Sequence, residues 1–254
     1  MSDWRAVTLS DEELERYARH IVLPQVGGVG QRKLKAAKIA VIGAGGIGSA
    51  VIPALAGAGI GQLTIIDDDV VELTNLHRQP LFTEVDAGES KAELADMFVR
   101  LLNSFVHVKP IGARIGTDNA PQLLAGHDLV VDGSDNFATR LAVSDACVAL
   151  GVPLVSAAAV QFQGQVGLFR SKPCYRCFVG DAFDADDCDN CAELGVLGAL
   201  TATVGSFGAL LAINAIIGVG PEQSGHVHLF DGERLSWRTI RIPPDASCRA
   251  CASG

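Results

Sequence analysis

The chain has 254 residues, of which 48% are hydrophobic and 19% are charged, so it can bury a sizeable core and is not a disordered chain. The 29 Asp and Glu residues outnumber the 20 Lys and Arg residues, and the net charge of −9 argues against general binding to nucleic acids or anionic membranes. Its seven cysteines are too sparse for a secreted disulfide scaffold, and the charged N-terminal segment has no apolar signal region. These features predict a cytoplasmic protein with reduced thiols.

Two uncharged stretches, residues 39–66 and 195–220, are long enough to span a bilayer. The first is interrupted by seven glycines, and its pattern predicts a strand, a turn, a helix and a second strand. The second contains four polar residues, and no basic flank lies near either end. We expect it to form a helix that is buried in the protein or at a subunit interface.

The N-terminal region begins with a helix signal. Ser10 is followed three residues later by Glu13, which is a capping box, and a helix is predicted to run to about Ile21. Its apolar face would consist of Leu14, Tyr17, Ala18 and Ile21. A glycine-rich loop over 27–30 and a short helix over 31–37 are expected to follow.

The next segment carries a nucleotide-binding fingerprint. A strand over 38–42, the turn GAGGIG over 43–48, a helix over 47–58 and a strand over 63–66 ending at Asp67 form a βαβ unit. Backbone N–H groups of such a turn approach phosphates, and the acid accepts hydrogen bonds from ribose hydroxyls. The candidate phosphate-facing glycines are Gly43, Gly45, Gly46 and Gly48. On this motif alone, NAD is the default nucleotide and ATP the less common one.

The remaining elements predict an α/β fold with a mixed sheet. Helices over 90–103 and 139–150 alternate with strands over 106–110, 127–131 and 153–157, which is typical of a parallel sheet. The later segments, 161–169 and a hairpin of 226–230 with 237–242, alternate like antiparallel strands. The expected architecture is Rossmann-like, with a parallel N-terminal part continued by antiparallel C-terminal strands.

Polar side chains follow two of the parallel strands. They are Asp67, Asp69, Asn75, Arg78, Gln79 and Lys91 in one region and Asp135 and Asn136 in the other. Because the carboxyl ends of parallel strands share one sheet edge, we expect these side chains to lie together. Cations neutralise a triphosphate and carboxylates hold Mg²⁺, a combination that a plain dehydrogenase does not explain. The sequence has no GxxxxGK[ST] motif, which argues against a standard P-loop NTPase.

Four of the cysteines form two CxxC pairs that suit a structural Zn²⁺ site. The pairs are Cys174 with Cys177 and Cys248 with Cys251, and the fold must bring them together. A redox role for one pair, or four free thiols, are the alternatives. Cys147 lies in a predicted apolar helix and is expected in the core. Cys188 and Cys191 lie in a polar, acidic segment where thiols would be accessible.

Taken together, the motifs resemble the MoeB/ThiF/HesA family, the bacterial relatives of ubiquitin-activating enzymes, and are most similar to its MoeB branch. The resemblance extends over about residues 9–251. The matching segments are RYARHI at 16–21, GAGGIGSA at 43–50, IDDD at 66–69, NLHRQ at 75–79, Gly88 with Lys91, DGSDN at 132–136, CYRC at 174–177, CAELGV at 191–196 and the final CxxC pair.

This resemblance implies an adenylyltransferase that uses ATP and Mg²⁺. Its substrate would be the C-terminal glycine of a ubiquitin-like sulfur-carrier protein ending in Gly-Gly, either MoaD-like or ThiS-like, and pyrophosphate would be released. A separate sulfur donor would convert the acyl-adenylate into a thiocarboxylate for molybdopterin or thiamin biosynthesis. The resemblance also implies a homodimer in which Arg19 reaches into the partner subunit's ATP site.

The family's motifs assign roles to individual residues. By position, Gly46 lies in the phosphate-facing loop and Asp67 holds the ribose. The phosphate contacts would be Asn75, Arg78 and Lys91, and Asp135 would hold Mg²⁺. The two CxxC pairs would bind Zn²⁺, and Cys191 matches the family's loop cysteine, with a catalytic thioester as an open alternative.

The domain expected from the resemblance is a single adenylation domain over residues 1–254. Residues 1–170 would form its nucleotide-binding part, and residues 171–254 a zinc-bound part that receives the carrier. The carrier's tail would enter a cleft lined by the antiparallel half of the sheet.

Two other functions stay open at this point. An NAD-dependent oxidoreductase would explain the fingerprint and Asp67, but would leave Arg78 and Lys91 without a role. A non-catalytic scaffold for a ubiquitin-like protein would explain a carrier-binding cleft, but not an intact phosphate site.

Overall fold

A computed structural model describes residues 3–180 and 195–252, which form a mixed eight-stranded sheet. Its strands are β1 (Lys38–Ile42), β2 (Gln62–Ile66), β3 (His107–Ile111), β4 (Leu129–Asp132), β5 (Leu154–Val160), β6 (Gln163–Phe169), β7 (His226–Asp231) and β8 (Ser236–Arg241). Their order across the sheet is β3-β2-β1-β4-β5-β6-β7-β8. The first five of these are parallel, and β6, β7 and β8 follow in antiparallel pairs. The predicted mixed α/β fold is confirmed.

Helices cover both faces of the sheet. They are α1 (Asp11–Arg16), α2 (Ala18–Ile21), α3 (Gly27–Ala36), α4 (Gly48–Ala58), α5 (Lys91–Leu102), α6 (Ala120–Leu124), α7 (Phe137–Leu150), α8 (Tyr175–Val179) and α9 (Gly198–Ile217), with 3₁₀ turns at Trp4–Ala6, Leu73–Asn75 and Glu84–Asp86. One core cluster joins α3, α4, α5 and α9 to the sheet, and the other joins α6, α7 and α8 to its opposite face. The central strands are buried on both faces, which explains their near-continuous apolar sequences.

The N-terminal region departs from its predicted pattern. The capping box of Ser10 and Glu13 is present, but the helix is interrupted at Tyr17, and Leu14 is 43% exposed. Tyr17 is buried as predicted, and its hydroxyl accepts from Asn103 at 2.8 Å, but the other buried side chain is Glu13, which forms an ion pair with Lys35 at 2.5 Å. Contacts to other elements therefore decided which side of this segment is buried, rather than its apolar periodicity.

The next helix also differs from the prediction. Helix α3 begins at Gly27, inside the segment predicted to be a loop, with Gly27 itself at a φ of +57°. The short helix α6 was not predicted at all, because its five residues are too few to show a helical period.

The apolar stretch near the C-terminus forms the 20-residue helix α9, which packs against α3, α4, β5 and β6. It is the one described helix that is long and apolar enough to cross a membrane, and 56% of that apolar window is buried inside the protein. Its contact with α4 is close because both helices present small side chains. A Cβ atom at Gly205 would lie 2.6 Å from the Ile47 carbonyl oxygen and 2.9 Å from the Ala50 Cβ.

We expect Gly205→Ala to destabilise the protein, because the added methyl group must push α9 away from α4. Overpacking of this kind costs about 2 kcal/mol of unfolding free energy, or a decrease in Tm of about 5 °C. Gly57→Ala in α4 is the matched control, since Gly57 is exposed and no atom lies within 4 Å of its added Cβ. Calorimetry should show an unchanged or slightly raised Tm for the control. Equal Tm values for the two variants would contradict the close helix contact.

Candidate active site

The glycine-rich turn between β1 and α4 is built around two close backbone approaches. Gly43 has a φ of +85°, a conformation that favours glycine. A Cβ at Gly48 would lie 2.1 Å from the Gly43 carbonyl oxygen, so Gly48 allows the helix to start directly over the turn. The backbone N–H groups of Gly45 and Gly46 have no hydrogen-bond partner among the described residues. Free N–H groups at the start of an 11-residue helix are a binding site for an anion.

Asp67 closes this turn from the neighbouring strand. One of its carboxylate oxygens accepts from the Ala44 N–H at 2.7 Å, and the other accepts from the Asp69 N–H at 2.8 Å. Burial raises the pKa of Asp67, while these two N–H donors and the nearby Lys91 oppose the increase. The carboxylate therefore holds the turn in shape and still has lone pairs available for a ligand's hydroxyl groups.

Two cations line the other side of the turn. Lys91 is 3% exposed, and its Nζ lies 2.8 Å from a carboxylate oxygen of Asp69. Arg78 donates through Nη2 to the Asn75 Oδ1 at 2.7 Å, and its Nη1 lies 3.0 Å from the His77 Nε2. Both cations are thus held in place by polar neighbours before any ligand binds.

The loop after β4 brings a further carboxylate to the same edge of the sheet. Asp132 is fully buried and fixes this loop, since its Oδ1 accepts from both the N–H and the hydroxyl of Ser134. Asp135 is exposed to the cavity, and Asn136 caps α7 by accepting from the Thr139 N–H at 2.9 Å.

Arg140 on α7 ties this loop to the neighbouring strand. Its Nη2 donates to the Ser134 carbonyl and, at 3.0 Å, to the Ala157 carbonyl, and its Nη1 donates to the Ser156 hydroxyl at 3.3 Å. The side chain is almost fully buried. The cation therefore fixes the position of Asp135 relative to β5.

These elements enclose a cavity of about 360 Å³. Ten of the predicted site residues line it: Gly43, Gly45, Gly46, Asp67, Asp69, Asn75, Arg78, Gln79, Lys91 and Asp135. Gly48 and Asn136 do not line it, because the first supports the turn from inside α4 and the second caps α7. The sequence interpretation did not include Glu72, Ser134, Arg140 and Thr201, which also line the cavity.

The chemistry of this cavity fits a phosphorylated ligand better than a neutral one. The cations of Arg78 and Lys91, the free N–H groups of the turn and the carboxylates of Asp69 and Asp135 lie around the same space. The buried Oε1 of Gln79 has no hydrogen-bond partner among the described residues. An orphaned acceptor of this kind is expected where a bound ligand supplies the missing donor.

A second and larger cavity of about 1030 Å³ opens beside the first. Arg78, Asp135 and Arg140 are among the residues that line both cavities, so the two lie side by side. Strands β5 to β8 form one wall of the larger cavity, and Tyr175 and Phe178 of α8 lie on another. The antiparallel half of the sheet therefore provides the cleft that the sequence analysis expected.

The two CxxC pairs come together in the folded chain, as their spacing in the sequence required. The Sγ atoms lie 4.0 Å apart for Cys174 and Cys177, 3.6 Å for Cys174 and Cys248, and 3.5 Å for Cys177 and Cys251. A tetrahedral Zn²⁺ with Zn–S bonds of about 2.3 Å separates its sulfur ligands by about 3.8 Å. The four thiols thus fit a zinc ion.

The other predicted residues lie outside these centres. Cys147 is buried in the core as expected, and burial raises the pKa of its thiol. Arg19 is exposed on α2 and lines neither cavity of its own chain. The predictions for Cys188 and Cys191 fall on residues outside the described part of the chain.

The fold and the charged cavity define a Rossmann-like nucleotide-binding α/β protein. The family model described as the ThiF family matches residues 17–250, which is nearly the whole chain. The chain therefore belongs to the ThiF family, and the resemblance found in the sequence is confirmed.

Named relatives share this family at substantial identity. The chain is 43% identical over 247 residues to the sulfur carrier protein adenylyltransferase of Thermus thermophilus, with 94% of this chain and 91% of that protein covered. It is 40% identical over 249 residues to the SAMP-activating enzyme E1 of Haloferax volcanii, with 98% and 92% covered. It is 42% identical to the adenylyltransferase and sulfurtransferase MOCS3 of Aedes aegypti, but covers only 56% of that longer protein.

Solved structures agree on the fold. The crystal structure of E. coli MccB with ATP superposes with a TM-score of 0.78 at 26% identity, covering 93% of this chain and 74% of that one. The complex of E. coli MccB with MccA-N7isoASN gives a TM-score of 0.83 at 23% identity, covering 98% and 76%. At that identity the second match supports the fold alone.

We expect the purified protein to contain about one Zn²⁺ per chain, bound by the four paired cysteines. Cys248→Ser should lose most of the metal, because a structural tetrahedral site needs all four thiolates. Cys147→Ala is the matched control, since Cys147 is a buried cysteine away from the cluster and should leave the zinc content unchanged. Elemental analysis of dialysed protein measures both. Full zinc content in Cys248→Ser would contradict the site.

Proposed function

We propose that the protein is an adenylyltransferase that uses ATP and Mg²⁺ to activate the C-terminal glycine of a ubiquitin-like sulfur-carrier protein ending in Gly-Gly. The observation that carries the proposal is the adjacency of the two cavities, which share Arg78, Asp135 and Arg140 as lining residues. A nucleotide in the smaller cavity and a peptide carboxylate in the larger one would meet at these residues. The printed names of the relatives, which include sulfur carrier protein adenylyltransferase, support the same reaction.

The proposed reaction needs alignment and charge neutralisation more than a strong base. A carboxylate oxygen of the carrier attacks the α-phosphorus of ATP, and a new P–O bond forms. The bond from the α-phosphorus to the oxygen that bridges to the β-phosphate breaks, and pyrophosphate leaves with that electron pair. The nucleophile is already an anion, so no proton has to be removed.

The cavity residues suit this chemistry. The free N–H groups of Gly45 and Gly46 would bind phosphate oxygens, and Asp67 would accept from the ribose hydroxyls. Arg78 and Lys91 would neutralise charge on the phosphates, and Asn75 holds Arg78 in place for that task. Asp135, with Asp69 nearby, would hold Mg²⁺, which supplies further charge neutralisation when bound. The related MccB structure with ATP supports ATP as the nucleotide.

The larger cavity suits an extended peptide tail. Its length along β5 to β8 and its mixed lining allow a flexible C-terminal segment to reach Asp135 from outside. Arg78 and the small side chains of Ala158 and Ala159 line this cavity, so a tail that ends in two glycines would suit that part of it.

The proposed assembly is a homodimer. Arg19 belongs to the segment that matches the family at residues 16–21, yet it is exposed and lies outside its own cavities. If each Arg19 lay in the partner subunit's nucleotide site, Arg19 would have a phosphate-binding role. A separate sulfur donor would then form the thiocarboxylate, and molybdopterin and thiamin biosynthesis are the two candidate routes for the carrier.

The alternatives explain fewer of these contacts. An NAD-dependent oxidoreductase would need neither Lys91 nor the larger cavity, and a non-catalytic scaffold would not need the preorganised cations.

ATP–pyrophosphate exchange tests the proposed reaction directly. We expect exchange only when a sulfur carrier ending in Gly-Gly is added, and its dependence on a MoaD-like or a ThiS-like carrier would identify the route. Asp135→Asn should lower the exchange rate about a hundredfold or more, because a transition-state contact of this kind contributes about 2–4 kcal/mol.

Asp68→Asn provides the matched control for this experiment. Asp68 is an exposed carboxylate next to Asp67, and it lines neither cavity. Its substitution should leave the exchange rate within a factor of about two of the original rate. Full exchange activity in Asp135→Asn would contradict the assigned site, and saturable NADH binding without ATP binding would favour the oxidoreductase.

Subunit mixing tests the proposed role of Arg19. We expect Arg19→Ala and Asp135→Asn to be almost inactive alone, because every active site lacks one group. When the two variants swap subunits under native conditions, half of the dimers are mixed, and each mixed dimer has one complete site. About a quarter of the ATP–pyrophosphate exchange activity should therefore return. Arg16→Ala is the control: Arg16 donates to the Leu102 carbonyl of its own chain, so this variant should be active without mixing. No recovery with Arg19→Ala would contradict a role in the partner's site.

A further inference from the structure

The wall of the larger cavity is made of two rows of side chains that run across the strands. Residues that pair in adjacent strands point to the same face of a sheet. The inner row consists of Ala158, Gln165, Leu229 and Arg238, which are paired from β5 to β8. All four line the cavity. The row changes from a small side chain beside the nucleotide cavity to a large cation at the outer end.

The charge of Arg238 is not compensated within the described part of the chain. Its guanidinium has no hydrogen-bond or ion-pair partner there, and the side chain is exposed. The second row consists of Val160, Gln163, Asp231 and Ser236. The carboxylate of Asp231 in this row is occupied. It accepts from the backbone N–H groups of Glu233 and Arg234 and forms an ion pair with the Arg234 side chain at 2.8 Å. The outer end of the cavity therefore presents a positive charge that no residue of the described ranges pairs.

The distance along the row defines where an anion of the peptide should lie. Three inter-strand spacings of about 4.8 Å separate β5 from β8, which gives about 14 Å. An extended peptide advances about 3.4 Å per residue, so about four residues cover this distance. With the terminal glycine beside Ala158, the fifth residue from the C-terminus would lie next to Arg238.

We infer that Arg238 is a specificity-determining residue that selects carriers with an acidic side chain at about the fifth position from the C-terminus. The inference rests on the proposed function, since it requires the carrier's tail to occupy the larger cavity. Attraction to Arg238 would act on the binding of the carrier, whereas the nucleotide chemistry depends on groups at the other end of the row. The effect should therefore appear in the KM for the carrier.

The test uses two versions of one ubiquitin-like carrier ending in Gly-Gly, with Glu or Lys at the fifth residue from the end. In ATP–pyrophosphate exchange at low salt, we expect the intact enzyme to have a KM about five- to tenfold lower for the Glu carrier. Arg238→Glu should reverse this preference, and Arg238→Gln should abolish it. The preference of the intact enzyme should fade at high salt, because an exposed ion pair is screened.

Arg241→Glu is the matched control. Arg241 lies on the same strand and is also exposed, but it alternates to the opposite face and does not line the cavity. The substitution changes the net charge as Arg238→Glu does, and the preference for the Glu carrier should persist. Retention of the preference in Arg238→Glu, or equal KM values for both carriers with the intact enzyme, would overturn the role of Arg238 but not the proposed function. Absence of exchange with both carriers would overturn the proposed function as well.

Discussion

The contact between α9 and the start of α4 is the constraint on which both cavities depend. Thr201 on α9 lies against Gly46, so that a Cβ there would be 3.1 Å from the threonine hydroxyl. About one turn earlier and one turn later, no larger residue would fit either, since Gly198 approaches the His77 carbonyl and Gly205 approaches Ile47. Helix α9 thereby fixes the position of the glycine-rich turn relative to the segment that precedes Arg78. A helix that would suit a membrane by composition serves here as the rigid support of a polar site.

The charged groups of the site form ion pairs and hydrogen bonds with other protein groups rather than with solvent. Lys91 is buried but paired with Asp69, and Arg140 is buried but surrounded by carbonyl and hydroxyl acceptors. Such pairing offsets much of the cost of removing charges from water. It also means that the cations do not have to reorganise when an anionic ligand arrives, which is how fixed charges stabilise a transition state most effectively.

The sequence was sufficient for those features that depend on local pattern. Asp67 follows from its place after the second strand of a βαβ unit, and its hydrogen bond to Ala44 explains why an acid is needed there. The zinc-competent cluster followed from chemistry, because four thiols in two pairs suit one ion. Arg140 could not be identified in this way. It lies within a helix with no motif around it, and only the folded chain places it between two cavities.

The errors have the same physical origin. The predicted apolar face of the N-terminal helix was only partly right: Tyr17 is buried with a hydrogen bond from Asn103, but Leu14 is exposed while Glu13 is buried in an ion pair with Lys35. Both contacts join residues far apart in the sequence. Local pattern cannot reveal interactions of this kind, and they decide the orientation of short segments that have few contacts of their own.

The position of β8 at the edge of the sheet has an evolutionary consequence. Among the strands of the described residues it pairs with β7 alone, and nearly all of its side chains are exposed. Substitutions at such positions usually change stability by only about 0.5 kcal/mol. The nucleotide site lies at the other end of the wall, among buried and mutually dependent groups. Partner choice can therefore diverge between descendants of one ancestral enzyme through changes in the terminal hairpin, while the activation chemistry is inherited intact.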